Sequence, residues 1–193
     1  MVITRFAPSP TGFLHIGNVR AALMNFLLAK KSKGEFILRI DDTDPERSKQ
    51  EYVDAIKKDL EWLGLEWDRV EHQSARLDLY DFASDKLRSK GVLYECFESP
   101  SELDLKRKKQ LNMGKPPVYD RAALSLSNEE KLNLKNERGN GHWRFKLEQN
   151  RIEWMDGILK DLSIDAASVS DPVLIRADGQ YLYTLASVVD DID

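Results

Sequence analysis

Arg5-Phe6-Ala7-Pro8-Ser9-Pro10-Thr11-Gly12-Phe13-Leu14-His15-Ile16-Gly17-Asn18 is the stretch whose reading decides the fold. A β-prone run, Val2 to Phe6, leads into it, and a helix-forming run, Val19 to Lys33, leaves it. Between them lies a loop of proline, serine and glycine. Strand, small-residue loop and helix start together make an anion site. The first N–H groups of a helix lack intrahelical acceptors, and the helix dipole favours negative charge there. His15 and Gly17 fall at that junction. A glycine lets a flat ligand approach the backbone, and an imidazole can donate to a phosphate oxygen. The pattern points to nucleotide binding.

Working outward, the first helix is predicted over 17–33, stopping at Gly34 as a left-handed cap. Glu35 to Asp41 reads as a buried strand, because Phe36, Ile37, Leu38 and Ile40 are apolar. Strand, helix, strand is the parallel crossover unit of doubly wound sheets. Asp41-Asp42-Thr43-Asp44-Pro45-Glu46-Arg47 follows, at the carboxyl end of the second strand, where open α/β sheets bind ligands. Its spacing breaks that of a calcium loop. Ser48 with Glu51 forms a capping box for a helix ending near Gly64, and Ser74 starts a helix that ends at Gly91. The character then changes. Ser99-Pro100-Ser101-Glu102 caps a helix carrying Lys106-Arg107-Lys108-Lys109 and stopping at Gly114. Ser127 with Glu130 caps another, ending at Gly139. Strands follow at 142–147 and 152–155. Asp178-Gly179 between two apolar runs signals a hairpin. Val188-Val189-Asp190-Asp191 begins a further strand.

The 193 residues, 41% hydrophobic, suffice for a domain with a core, or a domain plus an insert. No apolar run is long enough to span a bilayer. A single cysteine, Cys96, rules out an internal disulfide, and no secretory signal is evident, so a cytoplasmic setting is expected. A net charge of −4 argues against a polycationic nucleic-acid binder but leaves room for a local basic face.

The opening stretch resembles the first signature of class I aminoacyl-tRNA synthetases in the form used by glutamyl-tRNA synthetases, with Asn18 where the usual signature has a second histidine. Arg39 to Ser48 resembles the family's next landmark, and the likeness continues through Lys115–Asp120, His142–Phe145 and Tyr181–Asp191. It implies a Rossmann-like α/β nucleotide-binding half with an inserted α+β acceptor-binding (connective) domain. The division expected is 1–91 for the first half, 92–185 for the insert and 186–193 for the start of a return strand. The implied reaction is ATP-dependent ligation of glutamate to tRNA-Glu, or also to tRNA-Gln, through a glutamyl-adenylate, by a monomeric parent enzyme using magnesium with ATP.

The resemblance also carries residue roles. His15 and Gly17 are the catalytic signature positions. Ala7, Pro8, Ser9, His15, Gly17 and Asn18 are expected to hold ATP. Arg5, Ala7, Ser9, Asp41 and Tyr183 are expected to hold glutamate. An arginine suits a side-chain carboxylate, and an acidic residue suits an ammonium. The family usually has glutamate at the Asp41 position. Asp44 and Arg47 are candidates for meeting the tRNA 3′ end. Some members hold zinc with a Cys-x-Cys pair and distant Tyr and Cys ligands. Cys96-Phe97-Glu98 lacks the second thiol, and Tyr119 is followed by none, so no structural zinc is expected. Such enzymes continue beyond this length with a basic loop and an anticodon-binding domain, so this chain by itself is expected not to charge tRNA. Three other readings remain: a glutamyl-queuosine tRNA-Asp synthetase, a small nucleotidyltransferase and a non-catalytic tRNA-binding module. Arg5 could instead pair with Asp41 or Asp42, and Tyr183 could serve only to pack a hairpin.

Overall fold

A computed structural model describes residues 1–193, which divide into two compact units, Met1–Leu79 and Tyr80–Asp193. This division falls earlier than the change of character near Gly91, because helix α3 (Leu77–Ser89) packs mainly with residues later in the chain.

In the first unit, β1 (Ile3–Phe6), α1 (Ile16–Lys31), β2 (Glu35–Ile40), α2 (Gln50–Trp62) and β3 (Arg69–His72) form a parallel sheet in the order β1-β2-β3 with its crossover helices. Phe6 lies beside Leu38, and Ile40 beside His72. The core gathers Phe6, Phe36, Leu38 and Ile40 from the strands with Val53, Ile56 and Leu60 from α2. The α2 residues recur at helical spacing, so one face of the helix seals the sheet. Helix α1 buries only Ala22 and Ala29, small residues that let its backbone lie close to the strands. Truncating a core residue such as Ile56 to alanine would cost about 2–5 kcal/mol.

Two turn expectations are corrected. The left-handed residue after α1 is Lys33, with φ of 50°, not Gly34. Gly34 is required for another reason: a Cβ there would sit 1.9 Å from the Val2 carbonyl oxygen, which accepts the Glu35 N–H at 3.0 Å. Ser48 does not cap α2. The cap position is Lys49, and the buried Ser48 hydroxyl has no hydrogen-bond partner. The loop is instead tied by its backbone, with the Lys49 N–H donating to the Pro10 carbonyl at 3.0 Å.

The second unit holds α3, β4 (Leu93–Cys96), α4 (Pro100–Asn112), α5 (Asn128–Arg138), β5 (His142–Phe145), β6 (Arg151–Asp156), β7 (Lys160–Asp165), β8 (Val173–Ile175) and α6 (Tyr183–Ile192). β4, β5 and β8 make an antiparallel sheet, and β6 and β7 make a separate hairpin. The capping boxes at Ser99/Glu102 and Ser127/Glu130 form as read, and Gly114 and Gly139 both take positive φ. Buried Asp171 organises the loops. It accepts from the Tyr94 hydroxyl at 2.6 Å, the Arg121 guanidinium at 2.7 Å and the Leu147 N–H at 3.0 Å. Burial and that carboxylate push the Tyr94 phenol well above its usual range.

The return strand expected over 186–193 is not a strand. Those residues lie in α6, apart from Asp193, its C-terminal cap. Leu185 and Val189, four residues apart, pack with Leu93, Leu174 and Ile175, which is a helical spacing. The Asp178-Gly179 turn forms, closed by the Ile175–Tyr181 bridge and by the Arg176 N–H donating to the Gln180 carbonyl at 2.9 Å, before the chain turns into α6. No helix is long and apolar enough to cross a membrane.

Candidate active site

The β1–α1 junction opens into a cavity of about 540 Å³ lined by residues of the quoted stretch and of α1. Arg5, Ala7, Pro8, Ser9, His15 and Asn18 all line it, so six of the residues singled out from the sequence are brought together. Thr11, Ala21 and Asn25 line it as well and were not singled out. Asn18, Ala21 and Asn25 recur at helical spacing, a pattern that could have placed them on one wall.

His15 is the N-cap of α1. Its Nδ1 accepts the Gly17 N–H at 3.1 Å, and its own N–H donates to Asn18 Oδ1 at 3.1 Å. A ring nitrogen that accepts a backbone N–H carries no proton, so a neutral imidazole holds its proton on Nε2. His15 and Asn18 therefore cap the helix reciprocally, and the imidazole offers a donor on its other side. Gly17 is explained by the same contact. A Cβ there would sit 2.8 Å from His15 Cε1 and 3.0 Å from Nδ1. The glycine makes room for the imidazole that caps the helix.

Asp41 follows β2, with its N–H donating to the Pro8 carbonyl at 3.0 Å, which binds the acidic loop to the signature loop. Its carboxylate is buried and engaged by Arg39, with Nε to Oδ1 at 2.7 Å and Nη2 to Oδ2 at 3.1 Å. Removing one partner of such a pair is costly, because the other charge stays buried. Arg39 was missed as a site residue, although side chains two apart on a strand share a face. Asp42 accepts from the Ser74 N–H and hydroxyl, each at 2.8 Å, and lies 3.1 Å from His72 Nδ1. These bonds pin the acidic loop to the end of β3. Asp44 and Arg47 pair with each other at 2.6 Å, and Asp44 Oδ1 also accepts the N–H groups of Glu46 and Arg47. The Arg47 hydrogen bond holds the Asp44 carboxyl below its usual range. Tyr183 opens α6 in the second unit and is exposed.

The cluster around Cys96 does not fit zinc. Burial pushes the thiol up to about 11, so it stays protonated at neutral pH. Tyr119 Oη lies 3.6 Å from Sγ and donates to Glu98 Oε1 at 2.8 Å. Lys106 reaches both Glu98, at 3.1 Å, and Asp120, at 3.0 Å, and the Arg144 guanidinium stacks on the Tyr119 ring at 4.3 Å. The positive charges here are side chains, and there is one thiol where a structural site uses several. No group of three or more His, Cys, Asp or Glu side chains is placed to hold a metal ion. The basic helix α4 buries none of its residues, and Lys108 pairs with Asp104.

A parallel strand–helix–strand unit with a cavity at its first crossover defines an open α/β fold of the doubly wound type. The chain belongs to the class I tRNA synthetases for E and Q, whose catalytic-domain model matches residues 1–193. It is 76% identical, over its full length, to a protein named glutamate–tRNA ligase 1 from Ruegeria pomeroyi, and 75% identical to a namesake from Roseobacter denitrificans; in each case it spans 44% of the relative. Among solved structures it resembles a glutamate tRNA ligase from Elizabethkingia meningosepticum in complex with its amino acid. That likeness has a TM-score of 0.88 at 35% identity and covers 99% of this chain and 41% of that one. The chain thus spans less than half the length of the relatives it matches.

Proposed function

We propose that this chain is the amino-terminal part of the catalytic domain of a glutamate–tRNA ligase, and that the β1–α1 cavity is where glutamate is activated by ATP. The reaction joins a substrate carboxylate to the α-phosphate of ATP and releases pyrophosphate. No covalent protein nucleophile is needed. Alignment of the reactants and preorganised donors around the phosphorus supply the rate. The observation that carries the reading is the convergence of Arg5, Ala7, Pro8, Ser9, His15 and Asn18 on one cavity at the amino end of α1.

In this reading His15 donates from Nε2 to a phosphate oxygen, while its Nδ1 keeps the ring fixed on the Gly17 N–H. Arg5 pairs with the side-chain carboxylate of glutamate. Asp41, held by Arg39, presents negative charge to the amino group, directly or through a water. Tyr183 completes glutamate binding, a role that rests on the family likeness. Asp44 and Arg47 shape the turn that meets the tRNA 3′ end. Magnesium enters with ATP as part of the substrate. The partners are glutamate and tRNA-Glu, with tRNA-Gln as a second acceptor to be tested, and the setting is the cytoplasm. Residues 1–91 serve as the nucleotide-binding half, and residues 92–185 serve as the acceptor-binding insert.

The test is glutamate-dependent ATP–pyrophosphate exchange by the intact synthetase, with tRNA present. His15→Ala should slow exchange by about 10²–10³-fold, the scale for losing one preorganised donor. A loss below threefold would remove His15 from the phosphate site.

A further inference from the structure

Helix α6 begins at Tyr183 with a feature that calls for explanation. It has ten residues, and its cap residue, Leu182, makes no side-chain cap hydrogen bond. A helix this short is marginal alone, so tertiary contacts must set the orientation of its first turn. Leu185 and Val189 pack on β4 and β8, and α3 adds polar contacts at both ends of the helix. Tyr80, fully buried, donates its hydroxyl to the Asp190 carboxylate, with both oxygens at 3.0 Å. The next residue, Asp81, accepts a hydrogen bond from the Tyr181 hydroxyl. The rings of Tyr80 and Tyr181 meet edge to face, with centroids 5.7 Å apart. The Leu182 N–H donates to the Leu174 carbonyl at 2.9 Å.

Two neighbouring residues of α3 therefore hold both sides of Tyr183: one grips the residue two before it, the other the residue seven after it. Residues seven apart on a helix lie on the same face, two turns apart. The Asp190 bond adds to the packing of Leu185 and Val189 in holding the rotation of α6 about its axis, and the Tyr181 bond holds the place where the helix starts. Together they steady the backbone that carries Tyr183, whose own side chain is exposed.

We infer that Tyr80 and Asp190 are positioning residues for glutamate recognition, acting through Tyr183 rather than by touching substrate. This rests on the reading of Tyr183 as a glutamate-binding residue. It predicts an effect on one substrate only. A loosened α6 lets Tyr183 sample other orientations and weakens glutamate, while ATP bound at the β1–α1 junction is unaffected.

The experiment measures KM for glutamate and for ATP in tRNA charging by the intact synthetase, together with its melting temperature. The variants are Tyr183→Ala, Tyr80→Phe, Asp190→Asn and the double variant Tyr80→Phe/Tyr183→Ala. Tyr80→Phe keeps the buried ring and removes one hydrogen bond to a charged group, so the glutamate KM should rise about fivefold. The ATP KM should stay within about twofold of wild type. Asp190→Asn retains an acceptor oxygen and should preserve most of the glutamate affinity. In the Tyr183→Ala background, Tyr80→Phe should raise the glutamate KM no further. The inference is overturned by equal changes in the two KM values, by additive effects in the double variant, or by an unchanged glutamate KM in Tyr80→Phe while Tyr183→Ala raises it. An unchanged glutamate KM in Tyr183→Ala would overturn the underlying role of Tyr183, and the positioning role with it.

Discussion

Gly17→Ala separates the geometry of the signature from the stability of the helix that bears it. The added Cβ would lie 2.8 Å from His15 Cε1, well inside ordinary contact. The ring must retreat by roughly 0.6 Å or rotate away, and either movement breaks the bond from the Gly17 N–H to Nδ1. The atom in the way belongs to a side chain and not to backbone, so the fold can yield there. Losing the cap costs about 1 kcal/mol, and alanine in place of glycine inside the first turn returns about 1 kcal/mol. The two nearly cancel, and the midpoint of unfolding should barely move. Activity should respond differently, because a catalytic donor must be held within about 0.5 Å of its productive place. Pyrophosphate exchange by the intact synthetase should fall about 10–10²-fold, less than on removing His15 outright. In a His15→Ala background the same glycine change should have almost no effect. Exchange within twofold of wild type for Gly17→Ala, or a full additional loss in the double variant, would refute the link between Gly17 and the imidazole.

Arg5→Gln should weaken glutamate far more than ATP, since a substrate carboxylate would lose its cation; a rise in the ATP KM with glutamate unaffected would reverse that assignment. Elemental analysis of protein prepared without chelators should find less than one equivalent of zinc per chain, and a full, tightly held equivalent would contradict the account of the Cys96 cluster. The Cys96 thiol should react slowly with alkylating reagents at neutral pH, and faster as pH rises toward about 11. Burial raises this thiol above its ordinary value of 9.0, so its contribution to stability is complete below pH 9 and is lost as pH climbs toward about 11. Denaturant titrations of wild type and Cys96→Ala across that range should converge as pH rises, and parallel curves would show that burial of the thiol is not the cause.

Local signals were legible where they had a local cause. The capping boxes at Ser99 and Ser127 are closed by residues three positions apart, and the chain forms them as written. The β1–α1–β2 crossover follows from periodicity and from the loop between its elements. The misreadings arose where partners distant in sequence decided the outcome. Ser48 lost its cap role because Lys49 is drawn to the Pro10 carbonyl, 39 residues earlier in the chain. Gly34 is set by the Val2 carbonyl and not by its own φ. The apolar pair Val188-Val189 looked like the start of a strand, yet Leu185 and Val189 are claimed by the β4–β8 core, and the helical period prevails. At the site, the signature named most of the cavity wall, but the Arg39 partner of Asp41 and the capping role of His15 became visible only in three dimensions.

The most direct test of the central claim is ATP–pyrophosphate exchange by the intact synthetase, run with glutamate, glutamine and aspartate in turn, and with tRNA-Glu, tRNA-Gln and tRNA-Asp. The expected result is exchange that depends on glutamate, followed by transfer of glutamate to tRNA-Glu. Exchange supported by glutamine but not by glutamate, or transfer of glutamate to tRNA-Asp alone, would contradict the assignment of this chain to a glutamate–tRNA ligase.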